Sequence, residues 1–227
     1  RKNAYFLELS RAITVEFQVP CPEGLKYLNC QKVAIKYAVE QYQEGNIGVL
    51  LGDQMGIGKS MEAIGIAVSL KLFPVILVAP ASLSINWRNE CLKWVPGIKP
   101  SEIVILEGMK PHLIPDNPKI IICNYNILQA WVEVLVNQNP KLIVFDEIHF
   151  AKSSKTQRCQ ACLELVKNTK AFRLGLTGTP IPNRPIELLM PLKILGILSK
   201  VAKTDWDYLM EFTDGHRVQA YPGKYVW

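Results

Sequence analysis

Three polar segments of this 227-residue chain each follow an apolar run and carry residues suited to phosphate chemistry. In the first, residues 53–60, two glycines would let successive backbone N–H groups turn toward phosphate oxygens, and the helix behind would add its positive end. Lys59 would reach the β- and γ-phosphates, and the Ser60 hydroxyl would bind Mg²⁺. The residues assigned to this phosphate site are Asp53, Gln54, Met55, Gly56, Ile57, Gly58, Lys59 and Ser60.

The flanking sequence supplies the setting that a Walker A P-loop requires. Residues 47–51 form a short apolar run rich in strand formers, and residues 59–71 repeat apolar side chains at helical spacing. A strand, a glycine-rich turn and a helix in this order predict a P-loop. Asp53 stands where the general pattern has glycine, and the alternative is a helix start with an ordinary surface lysine. The two segments downstream favour the P-loop.

The second segment is a DEAH-like box that follows the apolar run 141–145. Asp146 would hold Mg²⁺ through water, and Glu147 would orient and polarise the attacking water. Adjacent residues of a strand point to opposite faces, so this pair must lie where the strand ends and turns. His149 would link the site to neighbouring loops. A lone Asp-Glu pair would favour a solvated turn instead, but the P-loop upstream favours the metal site.

The third segment ends another strand-like run, residues 171–176. Its hydroxyls and its glycine suit a loop that senses phosphate and relays its state, and the alternative is a plain β-turn. The residues assigned to this coupling loop are Thr177, Gly178 and Thr179.

In this order, the three segments resemble the motifs of the Swi/Snf-type ATPases of helicase superfamily two, specifically their first RecA-like lobe. The first motif of that family usually begins with aspartate, which accounts for Asp53. The resemblance extends from about residue 25 to about residue 198, and Arg184-Pro185 leans toward the annealing-helicase and fork-remodelling subgroup. It implies ATP and Mg²⁺ as cofactors, double-stranded DNA as a partner, and a second RecA-like lobe in the same parent chain.

Two further stretches match the nucleic-acid motifs of the same family, residues 80–90 and the pair Asn124-Tyr125. The resemblance makes them candidates for contacts to the DNA backbone, which position a protein without reading bases. Trp87 suits packing under the loop as well as it suits DNA contact. Gln31 lies where the family places a glutamine that reads adenine. The candidate nucleic-acid contacts are Ser82, Asn86, Arg88, Asn124 and Tyr125.

The order of predicted elements indicates an α/β fold of the RecA-like P-loop class, with a mostly parallel central sheet flanked by helices in three αβα layers. Strand-like runs occur at residues 47–51, 75–79, 103–106, 119–123, 142–145 and 172–176. We expect residues 1–24 to be an N-terminal extension with an edge strand at 13–19, residues 25–200 to form the lobe, and residues 201–227 to lead toward a second lobe that this chain lacks.

Composition sets broad limits on the class of protein. Hydrophobic residues make up 49% of the chain and charged residues 20%, which indicates a globular domain. The net charge of +6 moderately favours a polyanionic partner. Residues 63–85 are almost uncharged, but Lys71, Pro74 and Pro80 argue against one membrane helix. The six cysteines fit reduced thiols of an intracellular protein, and the Cys159-Cys162 spacing has no second pair to complete a zinc site.

These observations favour the ATP-binding lobe of a DNA-dependent ATPase that translocates on or remodels double-stranded DNA. Two alternatives remain open: an RNA or DNA unwinding helicase lobe, and an ATP-gated P-loop switch that binds a protein partner. An isolated lobe should hydrolyse ATP weakly, because arginine fingers from the second lobe are worth about 10³–10⁵ in rate.

Overall fold

The computed structural model describes residues 15–180, 184–212, 218–221 and 224–226. A six-stranded sheet runs through its centre, and every neighbouring pair of strands is parallel. The strands are β1 (Gly48–Leu51), β2 (Val75–Ala79), β3 (Ile103–Ile105), β4 (Ile120–Asn124), β5 (Leu142–Asp146) and β6 (Phe172–Leu176). Their order in the sheet is β1-β6-β5-β2-β4-β3, as expected of a doubly wound α/β fold.

Helices cover both faces of this sheet and complete the three-layer αβα architecture predicted from the sequence. The helices are α1 (Asn29–Gln43), α2 (Lys59–Leu70), α3 (Ser84–Trp94), α4 (Leu128–Asn137), α5 (Gln157–Lys167), α6 (Leu189–Leu195) and α7 (Asp205–Phe212). Helices α1, α2 and α3 share one hydrophobic cluster with one face of the sheet, and α4, α5 and α6 share a second cluster with the other face.

The central strands are apolar on both faces, which is why they appear in the sequence as continuous hydrophobic runs rather than as alternating ones. In β2, Val75 and Leu77 pack against the layer of α1–α3, whereas Ile76 and Val78 pack against the layer of α4–α6. This two-sided burial fixes the strand register, because a shift of one residue would exchange the two sets.

The carboxyl ends of five strands lie in one row across the sheet. Leu51 pairs with Leu176, which pairs with Asp146, and Ala79 follows in the next strand beside Asn124. With strands about 4.8 Å apart, the Cα atoms of Leu51 and Asp146 lie about 10 Å apart. The loops that leave this row are therefore neighbours, although the sequence separates them by up to 125 residues.

Helix α6 approaches the sheet unusually closely, and Arg173 joins it to α5. A Cβ atom on Gly48 would overlap the carbonyl oxygen of Leu195, so only glycine fits at the start of β1. The half-buried Arg173 guanidinium donates hydrogen bonds to the carbonyl of Ile194 (3.2 Å) and to that of Val166 (2.9 Å). A cation at two helix carboxyl ends is favourable because the helix dipoles place partial negative charge there.

The predicted edge strand at 13–19 is wrong for the part that the structure describes. Residues 15–19 have no strand pairing, and the Phe17 N–H donates to the Val15 carbonyl (2.8 Å) in a local turn. Val15 and Val19 are nevertheless buried, and Val19 packs on α2 beside Gly65. The alternation therefore reflects a coil lying on the helices, and residues 1–14 lie outside the described part of the chain.

Beyond α6, helix α7 packs on the domain through a small third cluster that includes Leu192, Tyr208 and Leu209. Two short antiparallel strands, β7 (Val218–Tyr221) and β8 (Lys224–Val226), follow it. All six cysteines are free thiols, and the pair on α5 is fully buried. Within the described ranges, no helix combines the length and apolar character needed to cross a membrane, and no cluster of three or more His, Cys, Asp or Glu could enclose a metal.

Candidate nucleotide site and its surroundings

The predicted P-loop connects β1 to α2 at the row of strand ends. Gly56 and Gly58 have positive φ angles of 87° and 95°, so the loop curls in a conformation that side chains disfavour. The Lys59 ammonium lies within this curl and donates to the carbonyls of Asp53 (2.8 Å) and Gln54 (3.1 Å). The loop thus gathers an ammonium group and the first turn of a helix at one point, an arrangement suited to anions.

Gln31 on α1 is joined directly to this loop. Its side-chain nitrogen donates to the Ile57 carbonyl (2.8 Å), and its side-chain oxygen accepts from the Leu28 N–H (2.9 Å). Gly58 is required here for a second reason, since a Cβ atom would lie 2.6 Å from the Gln31 nitrogen. The residue predicted to read adenine therefore lies against the phosphate loop, and both ends of its amide are engaged.

Asp146 ends β5 and is buried, with its side chain held from the side of α3. The Trp87 indole N–H donates to Asp146 Oδ2 (2.7 Å), and the Tyr125 hydroxyl donates to the Asp146 carbonyl (2.9 Å). Burial raises the pKa of the Asp146 carboxyl above its ordinary value, the nearby Glu147 carboxylate adds to this, and the Trp87 hydrogen bond opposes it. The indole N–H therefore stabilises the charged form that a metal would require.

Glu147 turns the chain away from the strand with a positive φ of 50°, so the two adjacent carboxylates leave the strand in different directions. His149 lies between this residue and the coupling loop. Its Nδ1 is 3.1 Å from Glu147 Oε2 and 3.3 Å from Thr177 Oγ1. Thr177 Oγ1 in turn accepts from the Thr179 N–H (3.2 Å). His149 thus contacts both the DEAH-like box and the third segment.

The coupling loop also touches the P-loop. A Cβ atom on Gly178 would lie 2.6 Å from Met55 Cγ and 3.5 Å from Lys59 Nζ, which shows how closely the two loops approach. All three segments predicted from the sequence therefore meet at the same edge of the sheet.

Glu62, in the first turn of α2, is a residue of this region that the sequence analysis missed. It is completely buried, and neither carboxylate oxygen has a hydrogen-bond partner in the described structure. Burial raises its pKa to about 8, and repulsion from Asp53 adds to this, while Lys59 acts in the opposite direction. The sequence pattern that could have revealed it is a carboxyl group between apolar neighbours in the helix that follows the P-loop.

The candidate nucleic-acid residues divide into two groups. Ser82 and Asn86 are exposed, and Arg88 and Asn124 are half-buried, so all four can be reached from solvent. Tyr125 does not fit the predicted contact role, because it is 3% exposed and its hydroxyl is bonded to Asp146. Tyr125 and Trp87 lie beneath the surface that their sequence neighbours form.

Comparison with known proteins identifies the family of this chain. The sequence profile of the SNF2-related domain matches residues 30–217. The chain belongs to the SNF2-related domain family. The SWI2/SNF2 ATPase core of Sulfolobus solfataricus in complex with dsDNA has the same fold, with a TM-score of 0.71 and 25% identity over 86% of this chain and 41% of that one. The SNF2-related assignment confirms the resemblance seen in the sequence, and membership of this ATP-dependent family implies ATP use.

Curated SNF2-related relatives include the DNA annealing helicase and endonuclease ZRANB3 of Bos taurus, 35% identical over 175 residues. The SWI/SNF-related matrix-associated actin-dependent regulator of chromatin subfamily A-like protein 1 of Xenopus tropicalis is 34% identical over 173 residues. Each match covers 75% of this chain. The chain spans 16% of the length of the first relative and 17% of the second. These matches agree with the lean toward the annealing-helicase subgroup.

Proposed function

We propose that this chain is the ATP-binding first lobe of a DNA-dependent ATPase that translocates on or remodels double-stranded DNA. One observation carries the proposal: three loops that are distant in sequence meet at one edge of the sheet through His149, Thr177, Gly178 and Met55. A site that couples hydrolysis to motion needs the phosphate loop, the carboxylates and a relay loop in contact. Because the SNF2-related family is ATP-dependent, we interpret the contact between these loops as coupling ATP hydrolysis to motion.

The residues fit ATP and Mg²⁺. The curled glycine loop and Lys59 suit the phosphates, and Gln31, whose amide is bonded to this loop, is the residue that we propose reads the base. Magnesium takes oxygen ligands and is usually bound by few protein groups, and Ser60 and Asp146 offer a hydroxyl and a carboxylate. When bound, the metal would neutralise charge on the phosphate oxygens, while ATP supplies the bond to be cleaved.

Three side chains of the site then have defined tasks. Lys59 exchanges its contacts with loop carbonyls for phosphate oxygens. Glu147, whose positive φ directs it away from Asp146, orients a water molecule and accepts its proton. His149 holds the Glu147 carboxylate and transmits its position to Thr177. We propose that a second lobe of the parent chain provides the arginine finger that completes the site.

We further propose that duplex DNA binds along the surface formed by Ser82, Asn86, Arg88 and Asn124. The S. solfataricus ATPase core was solved with dsDNA, and the relatives named above include a DNA annealing helicase. Polar and cationic side chains of this kind contact the phosphate backbone without reading sequence. Binding should therefore weaken as the salt concentration rises, with Arg88 contributing about one unit to the slope of log affinity against log salt.

The deciding experiment is ATP turnover by the full-length parent protein with duplex DNA, with RNA and without nucleic acid. Lys59→Ala should abolish turnover, whereas Lys141→Ala, an exposed lysine at the opposite end of β5, should leave it unchanged. Strong stimulation by duplex DNA supports the proposal. Stimulation by RNA alone would favour an unwinding helicase lobe, and turnover that responds to neither would favour an ATP-gated switch.

A further inference from the structure

We propose that Trp87 and Tyr125 are positioning residues that connect the nucleic-acid surface to Asp146. The inference rests on the proposed function, because it assigns a regulatory path to the same site. Two separate segments, residues 80–90 and the Asn124-Tyr125 pair, each send one buried side chain to the same aspartate. Trp87 bonds its carboxylate (2.7 Å), and Tyr125 bonds its backbone carbonyl (2.9 Å).

The two segments share one layout. In the first, exposed Asn86 precedes Trp87, which is 1% exposed. In the second, half-buried Asn124 precedes Tyr125, which is 3% exposed. Adjacent residues point in different directions, so in both segments one residue faces solvent while the next reaches Asp146. A ligand that displaces the backbone of the outer residue also displaces the inner one, because the two share a peptide bond.

The surroundings make these hydrogen bonds rigid. Trp87 belongs to the buried stripe of α3 together with Cys91 and Trp94, so the indole moves with the helix as a whole. The Tyr125 ring is stacked on Phe150, with ring centroids 5.7 Å apart and an interplanar angle of 14°. The Trp87 bond to the carboxylate, made in a low-dielectric interior, is therefore strong and depends steeply on geometry.

Phe150 also connects Tyr125 to the DEAH-like box. It directly follows His149, whose ring centroid lies 5.0 Å from that of Phe150. Tyr125 therefore contacts both ends of the segment 146–150: its hydroxyl reaches the first residue and its ring reaches the last. Displacement of the Tyr125 backbone would shift the whole catalytic segment rather than one atom of it.

A simpler interpretation is that a buried indole N–H merely needs an acceptor and finds one in Asp146. The chain provides a matched control for that interpretation. Trp131 on α4 is also completely buried, and its indole N–H donates to the Gly108 carbonyl (2.9 Å). Trp131→Phe therefore removes the same donor from a comparable environment that is not part of the nucleotide site.

The test uses the full-length parent protein with Trp87→Phe, Tyr125→Phe and Trp131→Phe. The first readout needs no turnover: the factor by which Mg²⁺, relative to EDTA, tightens the binding of a fluorescent ATP analogue without DNA. That factor should fall roughly tenfold to a hundredfold in Trp87→Phe, as expected for a lost bond to a carboxylate, and by less in Tyr125→Phe. It should stay within about twofold of the original in Trp131→Phe, which loses only a structural bond.

The second readout is the stimulation of ATP turnover by duplex DNA, measured together with the dissociation constant for DNA. Trp87→Phe and Tyr125→Phe should lower the stimulated kcat while DNA affinity stays unchanged, because neither side chain faces solvent. A magnesium factor in both variants equal to that of Trp131→Phe would overturn the inference. Because Tyr125→Phe removes a single hydroxyl, it decides the matter even if Trp87→Phe folds poorly. Absence of DNA stimulation in the unaltered protein would instead overturn the proposed function, and the magnesium factor would still judge the positioning role.

Discussion

Replacing Glu62 with glutamine should change how the stability of this domain depends on pH. The carboxyl group is fully buried without a hydrogen-bond partner, and its pKa is raised from 4.5 to about 8 in the folded protein. Below pH 4.5 the group is protonated in both states. Between pH 4.5 and 8 it is protonated only when folded, so unfolding releases a proton and the free energy of unfolding falls as the pH rises.

The magnitude follows from the displaced pKa. Each pH unit within this window is worth about 1.4 kcal/mol, so Glu62 should lower the free energy of unfolding by about 4 kcal/mol between pH 5 and pH 8. Glutamine has nearly the same shape and does not titrate. A change of this size is a large part of the 5–15 kcal/mol that is typical of a domain.

Urea unfolding of the chain at pH 5, 6, 7 and 8 measures this effect. The free energy of unfolding should fall with pH more steeply in the original protein than in Glu62→Gln, and the difference between the two should grow toward pH 8. Glu133→Gln, which changes an exposed glutamate of α4, should retain the original pH dependence. Equal slopes for Glu62→Gln and the original protein would mean that the buried carboxyl group is not held neutral by folding.

Three further substitutions test packing, capping and the contact between loops. Gly48→Ala would drive a methyl group into the Leu195 carbonyl and should cost about 3 kcal/mol, and an unchanged denaturation midpoint would contradict that close approach. Thr156→Ala removes the side-chain cap of α5 and should cost about 1 kcal/mol, whereas Thr156→Ser should cost much less in the same urea titration. Gly178→Ala would push the largely exposed Met55 side chain off its rotamer and should cost up to about 1 kcal/mol of nucleotide affinity, with little effect on the melting temperature. A second change, Met55→Ala, should restore binding, and no recovery would argue against direct contact between the loops.

The strands and the main helices could be predicted from the sequence because burial on both faces leaves a plain signal. Runs such as 75–79 and 142–145 contain no charged residue and are bounded by proline, lysine or aspartate. The helix predicted at residues 59–71 begins at the same residue in the structure and ends one residue earlier, at Leu70. The coil at 15–19 has the same pattern as an edge strand, since packing against the domain buries alternate residues just as a sheet would. Alternation reports which side chains are covered, and it does not report what covers them.

The functional site also has residues that could be predicted from the sequence and residues that could not. Residue types and spacing sufficed to select the P-loop and the DEAH-like box, because few other functions need glycine, lysine and paired carboxylates in that order. They did not suffice for Trp87, Tyr125 or Glu62. The direction of each of these side chains depends on where a strand ends and a helix begins. A shift of that boundary by one residue would turn the side chain to another face, and the sequence does not fix boundaries so closely. The hydrogen bond from Trp87 to Asp146 joins residues 59 positions apart, and no local pattern encodes it.

The contact of Arg173 with two helix ends has a consequence for how the domain opens. If the last turn of α5 frays, the guanidinium loses the Val166 carbonyl while it stays half-buried, so the bond to Ile194 alone must offset the same desolvation cost. Fraying of either helix end therefore weakens the other. Backbone amides near Val166 and Ile194 should show the same free energy of opening in hydrogen exchange, as members of a single cooperative unit. The Arg173 guanidinium would thus set the size of the smallest part of this domain that can unfold by itself.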